Sequence, residues 1–308
     1  MRRFWIDTDT ASDDAVAILM ALRTSDVHVE GISVAAGNVP VEMGARNARY
    51  TVEVCGKETP VYVGADKPLL REPHFAYFFH GPDGMGGTNP LEPKRPVQEK
   101  HAVPAFIEAV RKYPGEITLV TLGPLTNMAL AFAQAPDIAK KIKMCYVMGG
   151  AANTLGNITP SAEFNIWFDP DAARMFFHSG IPFMMVGWEH CRGKANFDEA
   201  EIQSILDMQT TYAKFSIDIN ATAIAINRDM YSEPGLSLPD PVTMAIALDP
   251  SIVTRSGKYY VDVETNSELT RGATIVDELG VTQKMANAEV CWSIDIARWK
   301  EALYKTIR

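Results

Sequence analysis

The sequence predicts an α/β fold: a Rossmann-like, open, mostly parallel sheet flanked by helices on both faces. Two observations carry this expectation. From Phe4 to about Val186, short β-branched runs alternate with stretches of helical periodicity, the pattern that gives parallel strands with helical crossovers. The composition is that of a globular chain: of 308 residues, 47% are hydrophobic and 22% charged, unlike a disordered polypeptide. At this length folding removes about three quarters of the unfolded chain's surface from water, so a large core is available. No repeat, low-complexity tract or linker marks a boundary, and residues 1–308 read as one domain.

In order, Phe4–Asp7 reads as a strand. Asp13–Leu22 follows as a helix, with Thr10 or Ser12 as its cap and carboxylates in its first turn. Val29–Ala35 is a strand, Val41–Cys55 a helix and Val61–Gly64 a short strand. Ala102–Lys112 is helical, Ile117–Thr121 a strand, and Pro124–Gln134 a helix with proline in its first turn. Lys143–Met148 is a strand, Pro170–His178 a helix and Phe183–Val186 a strand. Beyond Asp198 the pattern predicts helix over Glu199–Ile226, helix at Val242–Leu248, strands at Lys258–Val263 and near Thr274, and a closing helix at Ile294–Tyr304. Two stretches, Pro73–Pro90 and Gly149–Asn165, read as long loops, and such loops in compact domains are often functional.

Charge and targeting signals exclude several function classes. With 29 basic and 38 acidic residues the net charge is −9, against a nucleic-acid binder, whose footprint is a basic patch. The longest apolar run, about Ala15–Leu22, falls short of the roughly 18 residues of a membrane span. Met1-Arg2-Arg3 is followed by Asp7 and Asp9, where a signal peptide needs its apolar stretch. Cys55, Cys145, Cys191 and Cys291 form no CxxC pair. They read as reduced, mostly buried thiols of a cytoplasmic protein.

Open parallel sheets place ligands at the carboxyl ends of their strands, and polar residues gather there. The first strand runs into Asp7-Thr8-Asp9-Thr10-Ala11-Ser12-Asp13-Asp14. The second runs into Gly37-Asn38, the Ile117 strand into Leu122-Gly123-Pro124, and the Lys143 strand into Met148-Gly149-Gly150 with Asn157, Glu163 and Asn165 beyond. Asp13 and Asp14 alone would suit a helix N-terminus, and Asp7 and Asp9 alone would suit a turn. Four carboxylates brought to one spot repel one another unless a cation or shared protons offset them. A hard divalent cation, Ca²⁺ or Mg²⁺, is the simplest offset.

Other motifs fit less well. Asp7-Thr8-Asp9 begins the DxDx[TV] pattern of aspartyl-nucleophile phosphatases, but Ala11 stands at its fifth position. An EF-hand loop needs an acid or Asn at its fifth position and Gly at its sixth, where Ala11 and Ser12 stand. No phosphate loop or GxSxG elbow is present.

Asp7-Thr8-Asp9 with Asp13-Asp14-Ala15 resembles the DxDxxxDDA signature of the inosine–uridine-preferring nucleoside hydrolase family. Gly37-Asn38, the His80-Gly81-x-x-Gly84-Met85-Gly86 loop and Leu122-Gly123-Pro124-Leu125-Thr126-Asn127 are similar to later segments of that family. So are Met148-Gly149-Gly150, Gly156-Asn157, Ala162-Glu163-Phe164-Asn165 and Asp240-Pro241. The order is the family's, over nearly the whole chain. The resemblance implies Ca²⁺ held by Asp9, Asp14, Asp240 and the Leu122 backbone carbonyl. It implies Asp9 as general base, and Asp13, Asn38, Asn157, Glu163 and Asn165 as ligands of the ribose, with Met148 beside them. The reaction implied is hydrolysis of the N-ribosidic bond of free ribonucleosides, through a flattened, cationic ribose. It also implies a homodimer or homotetramer, with Glu199–Pro239 as a mobile wall over the base.

Two departures stand out. Thr10-Ala11-Ser12 replaces the Pro-Gly-Ile or similar residues common between the acids. Pro239 stands before Asp240, where many members carry a His that protonates the leaving base and a purine-specific branch uses Trp. Replacements for that acid are His80, in the HG loop, and Cys191, in Trp188-Glu189-His190-Cys191-Arg192-Gly193. Tyr212 and Tyr231 are further candidates from the variable segment. Two alternative functions are a Mg²⁺-dependent phosphatase with Asp7 as nucleophile, and a non-catalytic nucleoside or ribose sensor.

Overall fold

The structure, a computed structural model, describes residues 1–230 and 235–308; Tyr231 lies outside the described residues. The strands are β1 (Arg2–Thr8), β2 (Val27–Val34), β3 (Val61–Val63), β4 (Ile117–Thr121), β5 (Met144–Met148), β6 (Phe183–Val186), β7 (Val253–Val263), β8 (Thr274–Asp277) and β9 (Ala288–Ile294). The helices of the first half are α1 (Ser12–Arg23), α2 (Val41–Val54), α3 (Tyr77–His80), α4 (Ala102–Lys112), α5 (Thr126–Gln134) and α6 (Phe164–Phe168). The second half adds α7 (Pro170–Phe177), α8 (Glu199–Leu206), α9 (Thr211–Asp218), α10 (Ala221–Asp229), α11 (Pro239–Leu248) and α12 (Ile296–Ile307).

Among the described residues the strands form one sheet in the order β3-β2-β1-β4-β5-β6-β9-β7-β8. From β3 through β9 every pairing is parallel, while β7 runs antiparallel to both β9 and β8. The predicted α/β class and mostly parallel sheet are therefore observed. Strand side chains alternate between two cores, as the period of two requires. Phe4 and Ile6 of β1, Val120 of β4 and Tyr146 of β5 pack on the face covered by α1, α2, α11 and α12. Trp5, Leu119, Cys145 and Val147 pack on the face covered by α4, α5 and α7. With both faces covered, the central strands read as continuous apolar runs rather than alternating ones.

Several boundaries differ from expectation. The helical stretch after Asp198 is three helices. Asp198 caps α8 reciprocally with Glu201, and the turn after it carries Gln209 at φ 54°. The Thr210 side chain then caps α9 by accepting from the Ala213 N–H. The cap residue of α1 is Ala11, not Thr10 or Ser12. Ala11 has no side-chain oxygen, and the Asp14 carboxylate instead accepts from its backbone N–H at 3.0 Å. α5 starts at Thr126, so Pro124 precedes the helix rather than lying in its first turn. β9 was not anticipated, although it is the strand that joins the parallel part of the sheet to its antiparallel edge.

Among the described residues no helix is long and apolar enough to cross a membrane.

Candidate active site

The strand order reverses between β1 and β4, and ligands of open α/β sheets bind outside the strand ends at such a reversal. Here the Asp7 carbonyl accepts from the Leu122 N–H at 2.7 Å and the Thr8 carbonyl from the Ala35 N–H at 2.9 Å. β1 is thus paired to its last residue before the chain turns away as residues 9–11.

Alternation along β1 separates its acids. Asp7 shares the Trp5 face. Its Oδ1 accepts from Ser33 Oγ at 2.5 Å and from Asn127 Nδ2 at 2.9 Å, tying β1 to β2 and α5. Asp7 does not line the cavity described below, so the expectation of four carboxylates at one spot is corrected: the first acid of the motif points to the other side of the sheet. Thr8, one residue on, faces α1 and donates to Asp14 Oδ1 at 2.5 Å. That bond and the Ala11 N–H fix both Asp14 oxygens.

Asp9 is fully buried. Its Oδ2 accepts from the Asn38 backbone N–H at 2.5 Å, while its Oδ1 has no hydrogen-bond partner. Two glycines press on this carboxylate. A Cβ at Gly37 would lie 2.1 Å from Asp9 Oδ2, and one at Gly123 would lie 2.6 Å from Oδ1. Gly37 and Gly123 follow β2 and β4, so the ends of three strands meet around Asp9.

Asp13, Asp14 and Asp240 offer carboxylate oxygens all within 4.8 Å of one another. Asp240 comes from the first turn of α11, more than two hundred residues from the others in the chain, and all three are buried. Burial drives their pKa values upward, and neighbouring carboxylates add to it. Asp13 is pushed up to about 8 by burial and then by the charge of Asp14. Asp9 and Asp240 stand well above the ordinary range for the same two reasons. Asp14 is raised by burial despite its hydrogen bonds. Buried acids in this arrangement need shared protons or a cation. Asp9 Oδ1 and Asp13 Oδ1, both buried and without hydrogen bonds, are the kind of oxygen a hard cation takes. The donor set therefore fits such an ion. Asp9 stands beside the triangle formed by Asp13, Asp14 and Asp240, and Asp13 belongs to that triangle as well as to the cavity wall.

A cavity of about 280 Å³ opens above these acids, lined at its floor by Asp13, Leu122 and Asp240. Asp9 and Asp14 are buried and are not among its lining residues. Asn38, Met148, Asn157, Glu163 and Asn165 all line it. Glu163 caps α6: its Oε1 accepts from the Asn165 N–H at 2.8 Å, and its Oε2 from the Gly150 N–H at 3.0 Å and the Ile166 N–H at 3.3 Å. Burial still outweighs these bonds and pushes Glu163 up to about 7. Asn165 Nδ2 donates to the Leu122 carbonyl at 2.8 Å and lies 3.2 Å from Met148 Sδ. A carbonyl has two lone pairs, so Leu122 keeps one for another partner. Asn157 Oδ1 accepts from the Phe164 N–H at 2.9 Å.

His80 also lines the cavity. Burial pushes its pKa down to about 3, which keeps the ring neutral. Its Nδ1 meets Ser12 Oγ at 2.8 Å and lies 3.8 Å from Asp13 Oδ1. Cys191 does not line the cavity. Its Sγ donates to the Trp188 carbonyl at 3.0 Å, and burial pushes the thiol well above its ordinary range. Tyr212 is likewise outside the cavity, with the Arg23 guanidinium 3.7 Å above its ring. Sequence reasoning looked for aromatic residues next to Asp240 and in the variable segment and did not single out Trp188, Phe78 and Phe79, which line the cavity from other segments. Trp188 Nε1 donates to the Leu155 carbonyl at 3.1 Å, which fixes its ring. The position of Trp188, just after the predicted strand Phe183–Val186, was the available signal.

The family model described as inosine-uridine preferring nucleoside hydrolase matches residues 4–301. The chain is 36% identical to the pyrimidine-specific ribonucleoside hydrolase RihA of Shewanella woodyi, covering 98% of this chain and 96% of that one. It is 35% identical to the non-specific ribonucleoside hydrolase RihC of Escherichia coli, covering 96% and 95%. The solved structure of a plant nucleoside hydrolase superposes with a TM-score of 0.94 at 30% identity, over 99% of this chain and 98% of that one. With this match from end to end, and the motif segments gathered around one acidic cavity, the chain belongs to the inosine-uridine preferring nucleoside hydrolase family.

Proposed function

We propose that the protein hydrolyses the N-ribosidic bond of free ribonucleosides, with Ca²⁺ held by Asp9, Asp14, Asp240 and the Leu122 carbonyl. The observation that carries this reading is the buried acid cluster under a cavity whose wall is a set of ribose-sized polar groups. When bound, the cation offsets the carboxylate charge and makes a water more acidic.

The chain's own residues divide the remaining work. Asp9 accepts the proton of the attacking water, with its carboxylate oriented by the Asn38 N–H on Oδ2. As the C1′–N bond breaks, its electron pair leaves with the base and positive charge spreads over C1′ and the ring oxygen. The carboxylates of Asp13 and Glu163 stabilise that charge, and with Asn38, Asn157 and Asn165 they orient the ribose hydroxyls. Substrates lacking a hydroxyl leave these groups without partners and are rejected. Trp188, Phe78 and Phe79 offer aromatic surface to the base, and His80 is the polar group nearest in kind to the absent acid at Pro239.

The test is ribose release from inosine, adenosine, guanosine, uridine, cytidine and p-nitrophenyl riboside, with Asp9→Ala beside wild type. Cleavage of at least one nucleoside, lost in Asp9→Ala, is the expected result. Tight ribose binding with no turnover on any substrate in the presence of Ca²⁺ would instead favour the sensor reading.

A further inference from the structure

We propose that Ser12 is a positioning residue that sets the tautomer of His80, so that His80 presents Nε2–H to the cavity as a neutral hydrogen-bond donor. Ser12 opens α1 and is 1% exposed. Its Oγ lies 2.8 Å from His80 Nδ1, and that is its only side-chain hydrogen bond among the described residues. His80 closes α3 and is held at both backbone groups: its N–H donates to the Ala76 carbonyl at 3.1 Å, and its carbonyl accepts from the Gly86 N–H at 2.9 Å. The Phe79 ring packs against it at 5.0 Å between centroids. The imidazole therefore has little freedom to turn away from Ser12.

The direction of the Ser12–His80 bond follows from counting protons. A hydroxyl has one proton and the bond has two possible senses. If Nδ1–H donated to Ser12 Oγ, the hydroxyl proton would be buried with no acceptor among the described residues. A buried donor left unmade carries the full cost of its lost hydration. If Ser12 donates to Nδ1 instead, every proton of the pair is used. Nδ1 must then be the bare nitrogen, and the ring proton sits on Nε2. Nε2 has no partner among the described residues, and His80 lines the cavity. A cationic ring is excluded by the same count, since it too would place a proton between Nδ1 and Oγ. Asp13 Oδ1, 3.8 Å from Nδ1, is too far for a hydrogen bond, so Ser12 Oγ is the group that fixes the tautomer.

This links the two departures from the family's pattern. Pro239 supplies neither an N–H nor an ionisable side chain, and Ser12 stands among the changed residues between the acids. For the identity of its acceptor this inference rests on the hydrolase reading above; for the tautomer it does not. In that reaction the C1′–N electron pair leaves on the base. The Nε2–H bond stabilises the negative charge there, and the proton released by the attacking water completes the free base.

The experiment has two arms, both on the full chain with Ca²⁺ present. In the first, protein labelled with ¹⁵N histidine is examined by two-bond nitrogen–proton correlation, with the His80 signals assigned by their loss in His80→Gln. The Nε2–H tautomer is expected in wild type and in Ser12→Thr, and a mixture of the two tautomers in Ser12→Ala. A wild-type His80 that is Nδ1–H or doubly protonated overturns the proposal, as does a Ser12→Ala spectrum unchanged from wild type. Should Ser12→Ala fail to fold, the wild-type and Ser12→Thr spectra still decide. In the second arm, Ser12→Ala should lose about tenfold in kcat on uridine and inosine, less than the roughly 10²-fold or more that a proton-handling group itself contributes, because Ser12 acts only through His80. Its KM should be little changed, and Ser12→Thr should restore most of the loss. p-Nitrophenyl riboside, whose leaving group needs no donor, should lose no more than about threefold. Equal losses on all substrates would make Ser12 structural and overturn the positioning role. If wild type cleaves no nucleoside, the hydrolase reading fails while the spectra still settle the tautomer.

Discussion

The Asn38 backbone N–H donates to Asp9 Oδ2 at 2.5 Å, and this bond holds the carboxylate between Gly37 and Gly123 with Oδ1 left unbonded. The end of β2 therefore orients an acid delivered by β1. Gly37→Ala and Gly123→Ala should each displace that carboxylate, because the added methyl group would overlap its oxygens. A misplacement of about 1 Å costs on the order of 10²-fold in rate, so kcat on any accepted nucleoside should fall by about that factor. Steady-state kinetics on both variants, with circular dichroism to check folding, measures this. Full activity in a folded Gly37→Ala would remove the clamp from the mechanism.

Stability of the metal-free protein should depend on pH in a defined direction. Asp13 is pushed up to about 8, and Asp7 and Glu163 to about 7. Between the ordinary carboxylate range near ~4 and these values the folded state binds more protons than the unfolded one, so stability falls as pH rises. His80, pushed down to about 3, works oppositely: its contribution is lost as pH falls below its unfolded value near ~6.5. From about pH 6.5 to 8 only the carboxylate effect remains. With chelator present, Tm should drop across that interval. Added Ca²⁺ should flatten the drop and release protons, seen by calorimetry in two buffers of different ionisation enthalpy. A chelated sample with constant Tm from pH 6.5 to 8 would contradict the acid cluster as described.

Trp188 offers a ring fixed by its bond to the Leu155 carbonyl. Stacking of a base on an aromatic side chain is worth about 1–3 kcal/mol. Trp188→Ala should raise KM for nucleosides by about tenfold or more, while inhibition by free ribose stays near the wild-type value. Weakened ribose inhibition of similar size would place Trp188 against the sugar instead.

Asp7 separates the hydrolase from the phosphatase alternative. It bonds Ser33 and Asn127 and does not line the cavity, so Asp7→Asn should keep ribosidase activity within about threefold. The substitution also removes a buried acid, so its Tm relative to wild type should become more favourable as pH rises above 7. Abolished activity in a folded Asp7→Asn would return Asp7 to the chemistry.

Much of this was legible in one dimension because local rules govern it. The strands Ile117–Thr121 and Phe183–Val186 and the helix Ala102–Lys112 have the predicted bounds, since each is a continuous apolar run or an amphipathic turn closed by a clear breaker. The polar residues after the strands converge because parallel strands put all their carboxyl ends at one edge. The break between α8 and α9 is hidden in the sequence because Gln209 gives no sign there of its positive φ. β9 was missed because it is defined by partners on β6 and β7, far away in the chain, rather than by its own pattern.

By itself the sequence determined the fold class, the family and the set of acids and amides that form the cavity. Those depend on residue type, order and spacing. Tertiary structure alone decided which side each group faces and what it touches: Asp7 turned toward α5 rather than the cluster, Asp240 brought to Asp13 and Asp14, Cys191 bonded to the Trp188 carbonyl, and Trp188 exposed to the cavity. It also decided that Ser12 meets His80. The reason is physical. Backbone propensity and hydrophobic periodicity act over a few residues, whereas a site is made by packing segments that are distant in the chain, and only the packed chain fixes which atoms come within bonding distance.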